Sequence, residues 1–128
     1  MVWVSSMTPK RGGIYLVDFG QRYQEERSAL GKVRPALVWQ NDLINLHLDV
    51  APYPSVIVIP CTTDLKGGRF RLALPSREGL ERKSELILPW ICSVDLSRFV
   101  GKEVLTFLTE EEETLLRTKL DFIMGYGY

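Results

Sequence analysis

The chain has 128 residues, of which 45% are hydrophobic and 25% charged, and its 16 basic side chains balance its 16 acidic ones. This length suits one core, so we expect a single domain over residues 1–128. No apolar run reaches the roughly 18 residues of a membrane span, and residues 1–10 lack the layout of a signal peptide. These features predict a globular cytoplasmic protein that does not enter membranes.

Cysteine and histidine are too sparse to suggest metal chemistry. Cys61 and Cys92 have no CxxC partner, and His47 has no neighbours at zinc-ligand spacing. We therefore expect no metal, no cofactor and two reduced thiols, with a disulfide as the less favoured alternative. His47 lies in a connector, so we do not expect it to act as a catalytic base.

Charge is unevenly distributed along the neutral chain. Residues 1–102 carry 14 Lys and Arg against 10 Asp and Glu, whereas residues 103–128 carry 2 against 6. A basic body with an acidic end is compatible with a polyanionic partner but does not demonstrate one.

The first half of the chain alternates strand-like and polar segments. Residues 13–19 and 34–40 are rich in β-branched and aromatic residues, which predicts two strands. Between them, residues 21–33 are polar and read as a long loop. Residues 41–54 read as a connector with a short helical turn.

The second half continues with strands. Residues 55–63 form the most apolar run and predict a central strand, in which Pro60 indicates a bulge or an end. Residues 69–75 alternate between polar and apolar side chains. Residues 84–94 predict a buried strand interrupted by Pro89, and residues 95–107 a turn with a short strand.

The chain ends in a predicted amphipathic helix. Thr109 and Glu112 have the spacing of a capping box, and Gly125 is a suitable stop. The expected inner face carries Leu116, Leu120, Ile123 and Met124. We therefore predict a mainly β (α+β) fold: a barrel or bent sheet of five to seven strands with a C-terminal helix.

Arg34 stands directly before Pro35 at the start of a strand that looks buried. It can be a structural residue that extends to solvent and pairs with an acid at the sheet edge. It can also belong to an anion site, since Thr62 and Thr63 end the next apolar run. A fixed cation, two hydroxyls and further positive charge suit a phosphodiester; that charge would come from Lys32, Arg69 and Arg71.

Several segments in order carry a resemblance to a known family. They are RGGIYLVDF, GKVRPALVWQND, PSVIVIPCTTD, GLERKSELIL, SVD and TEEEETLLRTKLDFIMG. Over about residues 11–125 the chain resembles the MazF/PemK-type toxins of bacterial toxin–antitoxin systems. The resemblance implies an SH3-like, CcdB/MazF-type barrel, a homodimer and a cognate antitoxin. It also implies metal-independent cleavage of single-stranded RNA, in which the 2′-hydroxyl attacks its own phosphodiester.

The resemblance also assigns roles to individual residues. Arg34 matches the family's catalytic arginine and Thr62 its active-site threonine, while Ser28 matches a loop serine that contacts RNA. Trp90 stands where the family often has a glutamine, and we expect it either to stack on an RNA base or to belong to the core. Further departures are Ala29 and Leu30 in the loop, Pro89 and Cys92.

Two other functions remain open at this point. The related CcdB-type toxins share the fold and act on DNA gyrase through protein contacts, in which case Arg34 would be an interface or structural residue. A degenerate relative would retain dimerisation and antitoxin binding without cleavage.

Overall fold

The computed structural model describes residues 8–20 and 33–127, so residues 21–32 of the predicted loop 21–33 lie outside the described residues, and Val33 begins a strand. The described part contains seven strands and two α-helices. The strands are β1 (Gly13–Asp18), β2 (Val33–Val38), β3 (Ser55–Thr62), β4 (Arg71–Leu74), β5 (Ser84–Ile87), β6 (Cys92–Asp95) and β7 (Thr106–Phe107). The helices are α1 (Asp42–Asn45) and α2 (Glu110–Met124), and short 3-10 turns cover Leu48–Val50, Leu88–Trp90 and Leu96–Arg98.

All strand pairs are antiparallel and form one curled sheet in the order β4-β5-β3-β2-β1-β7, with β6 also paired to β3. The prediction of five to seven strands and a C-terminal helix is confirmed. The sheet curls because β3 changes partner along its length: residues 55–58 pair with β6 and residues 61–62 pair with β5. Pro60 lies between these two parts, where its missing N–H removes no hydrogen bond to β5 or β6.

The predicted strand over residues 84–94 is two strands. The 3-10 turn that contains Pro89 separates β5 from β6, and each of them pairs with a different part of β3. The interruption at Pro89 is therefore where the chain moves from one end of β3 to the other.

Two apolar clusters lie on the two faces of the sheet. One contains Val17, Ala36 and Val58, and the other contains Leu37, Ile59 and Leu116. Strict alternation along β2 and β3 sends successive side chains to opposite clusters, as a strand covered on both faces requires.

Helix α2 covers the second cluster. Thr109 accepts a hydrogen bond from the Glu112 N–H at 3.1 Å and Glu112 accepts one from the Thr109 N–H at 2.9 Å, so the predicted capping box is confirmed. Leu116 and Leu120 are buried and Ile123 packs partly against the core, but Met124, in the last turn, is 45% exposed. In the described part of the chain no helix has the length and apolarity to cross a membrane.

Candidate active site

A cavity of about 410 Å³ lies at the ends of β2 and β3. Arg34 and Pro35 line it from β2, and Cys61 and Thr62 line it from β3, with Thr63 just beyond the strand end. The rest of its wall comes from Leu16, Val33, Leu105 and the segments 79–82 and 84. The cavity therefore collects side chains that are far apart in the sequence.

The register of β2 and β3 explains why Arg34 and Thr62 line the same cavity. Ala36 and Pro60 are the last pair of the β2–β3 ladder, and Arg34 and Thr62 each lie two residues beyond this pair on their own strand. Because side chains alternate with a period of two, both point to the same face of the sheet. A cation and a hydroxyl thus line one cavity from adjacent strands.

Arg34 is half-buried, and its Nε is a buried atom without a hydrogen-bond partner. Within residues 8–20 and 33–127 its guanidinium forms no ion pair. Burial lowers the pKa of Arg34 from its ordinary value, with a smaller opposing effect from Cys61. An arginine stays protonated under physiological conditions all the same, so the cavity wall holds a cation whose charge no described carboxylate neutralises.

Thr62 is only 4% exposed, yet it lines the cavity, and its Oγ1 accepts a hydrogen bond from the Asp64 N–H at 3.0 Å. That bond uses the oxygen as acceptor, which leaves the hydroxyl hydrogen to donate. Thr63 is exposed. The cavity is thus lined by one hydroxyl held by a backbone N–H, from Thr62, and by the Arg34 guanidinium.

Cys61 is not a reactive thiol. It is fully buried, and burial raises its pKa to about 12, although Arg34 and Arg77 partly oppose this rise. The thiol is therefore neutral and forms an apolar part of the cavity wall. Cys92 is half-buried, and no disulfide joins it to Cys61.

Other predicted site residues lie away from this cavity. Arg71 pairs with Glu85 at 2.8 Å, and the Arg69 guanidinium lies over the Phe122 ring at 4.6 Å. Trp90 packs half-buried against the first apolar cluster. Ser28 and Lys32 lie outside the described residues. The structure thus brings together Arg34, Thr62 and Thr63.

The sequence did not predict that the segment 79–84 contributes to the site, since residues 76–83 are typical of a turn and Ser84 begins the predicted strand 84–94. The segment contributes Glu81 and Arg82 to the cavity wall, and Glu81 Oε1 accepts a hydrogen bond from the Gly79 N–H at 3.3 Å. The available signal was GLERKS, which belongs to the resemblance but shows no periodicity. Among the described residues no three His, Cys, Asp or Glu side chains converge as metal ligands would.

Comparison with known proteins shows the family to which the chain belongs. The sequence pattern of the PemK-like, MazF-like toxins of type II toxin–antitoxin systems matches residues 10–124. The chain belongs to this family. No curated protein matches the chain at a significant level.

Solved MazF structures share the fold. MazF from Deinococcus radiodurans is 25% identical with a TM-score of 0.70, and the match covers 92% of this chain and 97% of that one. The Mycobacterium tuberculosis toxin MazF-mt6 is 17% identical, with a TM-score of 0.70 and coverage of 91% and 99%. A mycobacterial endoribonuclease in complex with its cognate antitoxin is 18% identical, with a TM-score of 0.70 and coverage of 94% and 98%. The last two show the likeness of fold alone.

Proposed function

We propose that this MazF-like chain is a sequence-selective endoribonuclease toxin that cleaves single-stranded RNA without a metal and so inhibits translation and growth. The observation that carries the proposal is the half-buried Arg34 guanidinium, which has no described ion-pair partner and shares a cavity with the Thr62 hydroxyl. An uncompensated buried cation is costly for a fold. A phosphodiester that enters the cavity would supply the missing negative charge.

In the proposed reaction the 2′-oxygen attacks the adjacent phosphorus and the bond to the 5′-oxygen breaks. The products are a 2′,3′-cyclic phosphate and a free 5′-hydroxyl, and the 2′-proton is lost while the leaving oxygen gains one. Arg34 stabilises the charge of the pentacoordinate phosphorus, and the Thr62 hydroxyl donates to a non-bridging oxygen. The Arg34 guanidinium stays protonated, so it cannot accept the 2′-proton.

Glu81 is the only carboxylate among the described residues that line the cavity. We propose it as the group that accepts the 2′-proton, since a general base must lie within reach of the proton that it removes. Replacement of Glu81 by Gln keeps the size of the side chain and removes this capacity. The expected result is a cleavage rate lower by about 10²-fold, the usual contribution of a general base.

The deciding experiment is incubation of the purified protein with mixed-sequence RNA in EDTA, followed by mapping of the cleaved ends. We expect cyclic phosphate and 5′-hydroxyl ends, and a loss of about 10²- to 10³-fold in Arg34→Ala and in Thr62→Val. Arg117→Ala, which removes an exposed arginine of α2, is the matched control and retains activity. No cleavage of any RNA, with inhibition of DNA gyrase instead, would replace this proposal by the CcdB-like one.

We further propose that the toxin acts in the cytoplasm as a homodimer and is neutralised by a cognate antitoxin. Support for the antitoxin comes from similar solved structures, which include MazE–MazF complexes from Deinococcus radiodurans. Exposed apolar side chains on the connector after β2 provide surface for a protein partner; they are Leu43, Ile44, Leu46, Val50 and Tyr53. Light scattering of the purified chain tests the dimer, and co-purification with the product of an adjacent small gene tests the antitoxin.

A further inference from the structure

A buried carboxylate lies next to the candidate active site. Glu85 in β5 is 6% exposed and is paired in register with Thr62 on one side and with Ala73 of β4 on the other. A charged side chain in such a position needs charged or hydrogen-bonding partners. The hydrogen-bond partners of the Glu85 carboxylate indicate its role.

Glu85 binds the loop that follows Thr62. Its Oε1 accepts from the Lys66 N–H at 3.0 Å, and its Oε2 accepts from the Gly67 N–H at 3.0 Å. The Arg71 Nη1 donates to the same carboxylate at 2.8 Å. The two glycines of the loop make this possible, because Gly67 and Gly68 have φ of 67° and 98°, which favour glycine and let successive amides converge on one anion.

Arg71 connects the carboxylate to the catalytic hydroxyl. Besides its bond to Glu85, its Nη1 donates to the Asp64 carbonyl oxygen at 2.8 Å. The N–H of Asp64 in turn donates to Thr62 Oγ1 at 3.0 Å. Asp64 is therefore fixed at both of its backbone polar groups, one by the arginine and one by the threonine.

We propose that Glu85 and Arg71 are positioning residues, which hold the loop 64–67 and thereby orient the Thr62 hydroxyl toward the cavity. This inference rests on the proposed RNA cleavage. Replacement of a buried ion pair by apolar side chains is often neutral or stabilising, so stability alone is a weak reason for this pair. The hydrogen bonds that Glu85 and Arg71 make to the loop give this ion pair a specific role.

The test uses the double variant Glu85→Leu/Arg71→Leu, because removal of one partner would leave a buried charge and confuse misfolding with misplacement. Two quantities are measured in the intact protein: hydrogen exchange of the Lys66 and Gly67 amides, and the kinetics of RNA cleavage. We expect at least about tenfold faster exchange at these amides. We also expect kcat to fall by about 10- to 100-fold, because a misplacement of about 1 Å has this effect, while KM stays within about threefold.

The matched control is the double variant Glu112→Leu/Arg77→Leu, which removes the other mostly buried Arg–Glu pair found among the described residues. That pair fixes the start of α2 and has no hydrogen bond to the loop 64–67. At a temperature where all variants are folded, the control is expected to retain kcat and the slow exchange of both loop amides.

The outcomes separate the two proposals. Unchanged amide exchange in Glu85→Leu/Arg71→Leu, or faster exchange with unchanged kcat, overturns the positioning role. A fall in kcat as large in the control Glu112→Leu/Arg77→Leu as in Glu85→Leu/Arg71→Leu overturns it as well. Absence of cleavage by the wild type overturns the proposed function, and the exchange data still decide whether Glu85 holds the loop.

Discussion

Replacement of Arg34 by Met should stabilise the protein while it abolishes RNA cleavage. Met keeps an apolar side chain of similar reach in contact with the cavity wall and removes the buried Nε that lacks a hydrogen-bond partner. A structural arginine would behave in the opposite way, since its loss would break an ion pair or a hydrogen bond. The direction of the change in stability therefore separates the two interpretations of Arg34.

The expected change in stability follows from the burial of the Arg34 guanidinium. An unsatisfied buried polar atom costs about 1–3 kcal/mol, and the lower end applies because the side chain is only half-buried. The unfolding entropy of about 2.1 cal/mol/K per residue gives about 0.27 kcal/mol/K for 128 residues. A gain of about 1 kcal/mol thus raises Tm by about 4 °C.

The assay compares thermal unfolding and RNA cleavage in three proteins: wild type, Arg34→Met and the control Arg117→Met. Arg117 is exposed on α2 and its ion pair with Glu113 spans 3.6 Å, so its replacement should change Tm by no more than about 2 °C. A fall of several degrees in Arg34→Met would refute the reasoning, because it would mean that the guanidinium is satisfied in the folded protein. Retained cleavage in Arg34→Met would refute its catalytic role.

Three further predictions concern the cavity wall and the helix start. Gly79→Ala should lower the free energy of unfolding, measured by denaturant titration, by at least about 2 kcal/mol, because φ is 87° and the new Cβ would lie 1.8 Å from the carbonyl oxygen of Leu105. The control Gly101→Ala, where φ is similar but the surrounding space is open, should lower it by about half as much. The Cys61 thiol, with its pKa raised to about 12 by burial, should resist alkylation at pH 8 until the protein unfolds, as mass spectrometry of its peptide would show. Burial raises the pKa of Glu112, but hydrogen bonds from its guanidinium partner and from the helix cap outweigh this, so the pKa lies below the ordinary 4.5. The interactions of the Glu112 carboxylate stabilise the fold above the unfolded-state pKa of about 4.3, and this stabilisation is lost as the pH falls through the folded-state pKa. Between about pH 5 and pH 3 the Tm of the wild type should therefore fall by more than the Tm of Glu112→Gln. Equal falls in Tm would contradict the lowered pKa of Glu112.

Most strands could be predicted because their side chains alternate locally. The alternation in residues 69–75 predicts Phe70, Leu72 and Leu74 on one apolar face. Leu72 and Leu74 are buried, whereas Phe70, which precedes β4, is 52% exposed. The capping box at Thr109 is equally local, since its partner is three residues away. Such signals depend on neighbours in the chain, and a single sequence contains them.

Pairing between distant strands could not be predicted in this way. The alternation places Arg71 on the polar face of its strand, but it does not reveal that the side chain binds Glu85, fourteen residues later. Glu85 itself stands in the apolar stretch SELIL, and only the register with Thr62 makes it part of the site. Register is set by the whole sheet, so these contacts required the structure.

The candidate site itself was predicted in part. Arg34 and Thr62 were candidates from their places at strand ends and from the family resemblance, and both line the cavity. The wall formed by residues 79–82 and 84 was not predicted, because the segment has no periodic pattern. Arg69 was expected near the phosphate site because positive charges attract anions. In the structure its guanidinium lies over the ring of Phe122 on α2.

The walls of the cavity come from positions as distant as Leu16 and Leu105. Leu105 is held against β1 by a hydrogen bond from its N–H to the carbonyl oxygen of Ile14 at 2.7 Å. During synthesis on the ribosome the early strands emerge first, but a nascent chain that ends before residue 105 lacks one wall of the site. The candidate site is therefore complete only after Leu105 has been synthesised and has packed against β1.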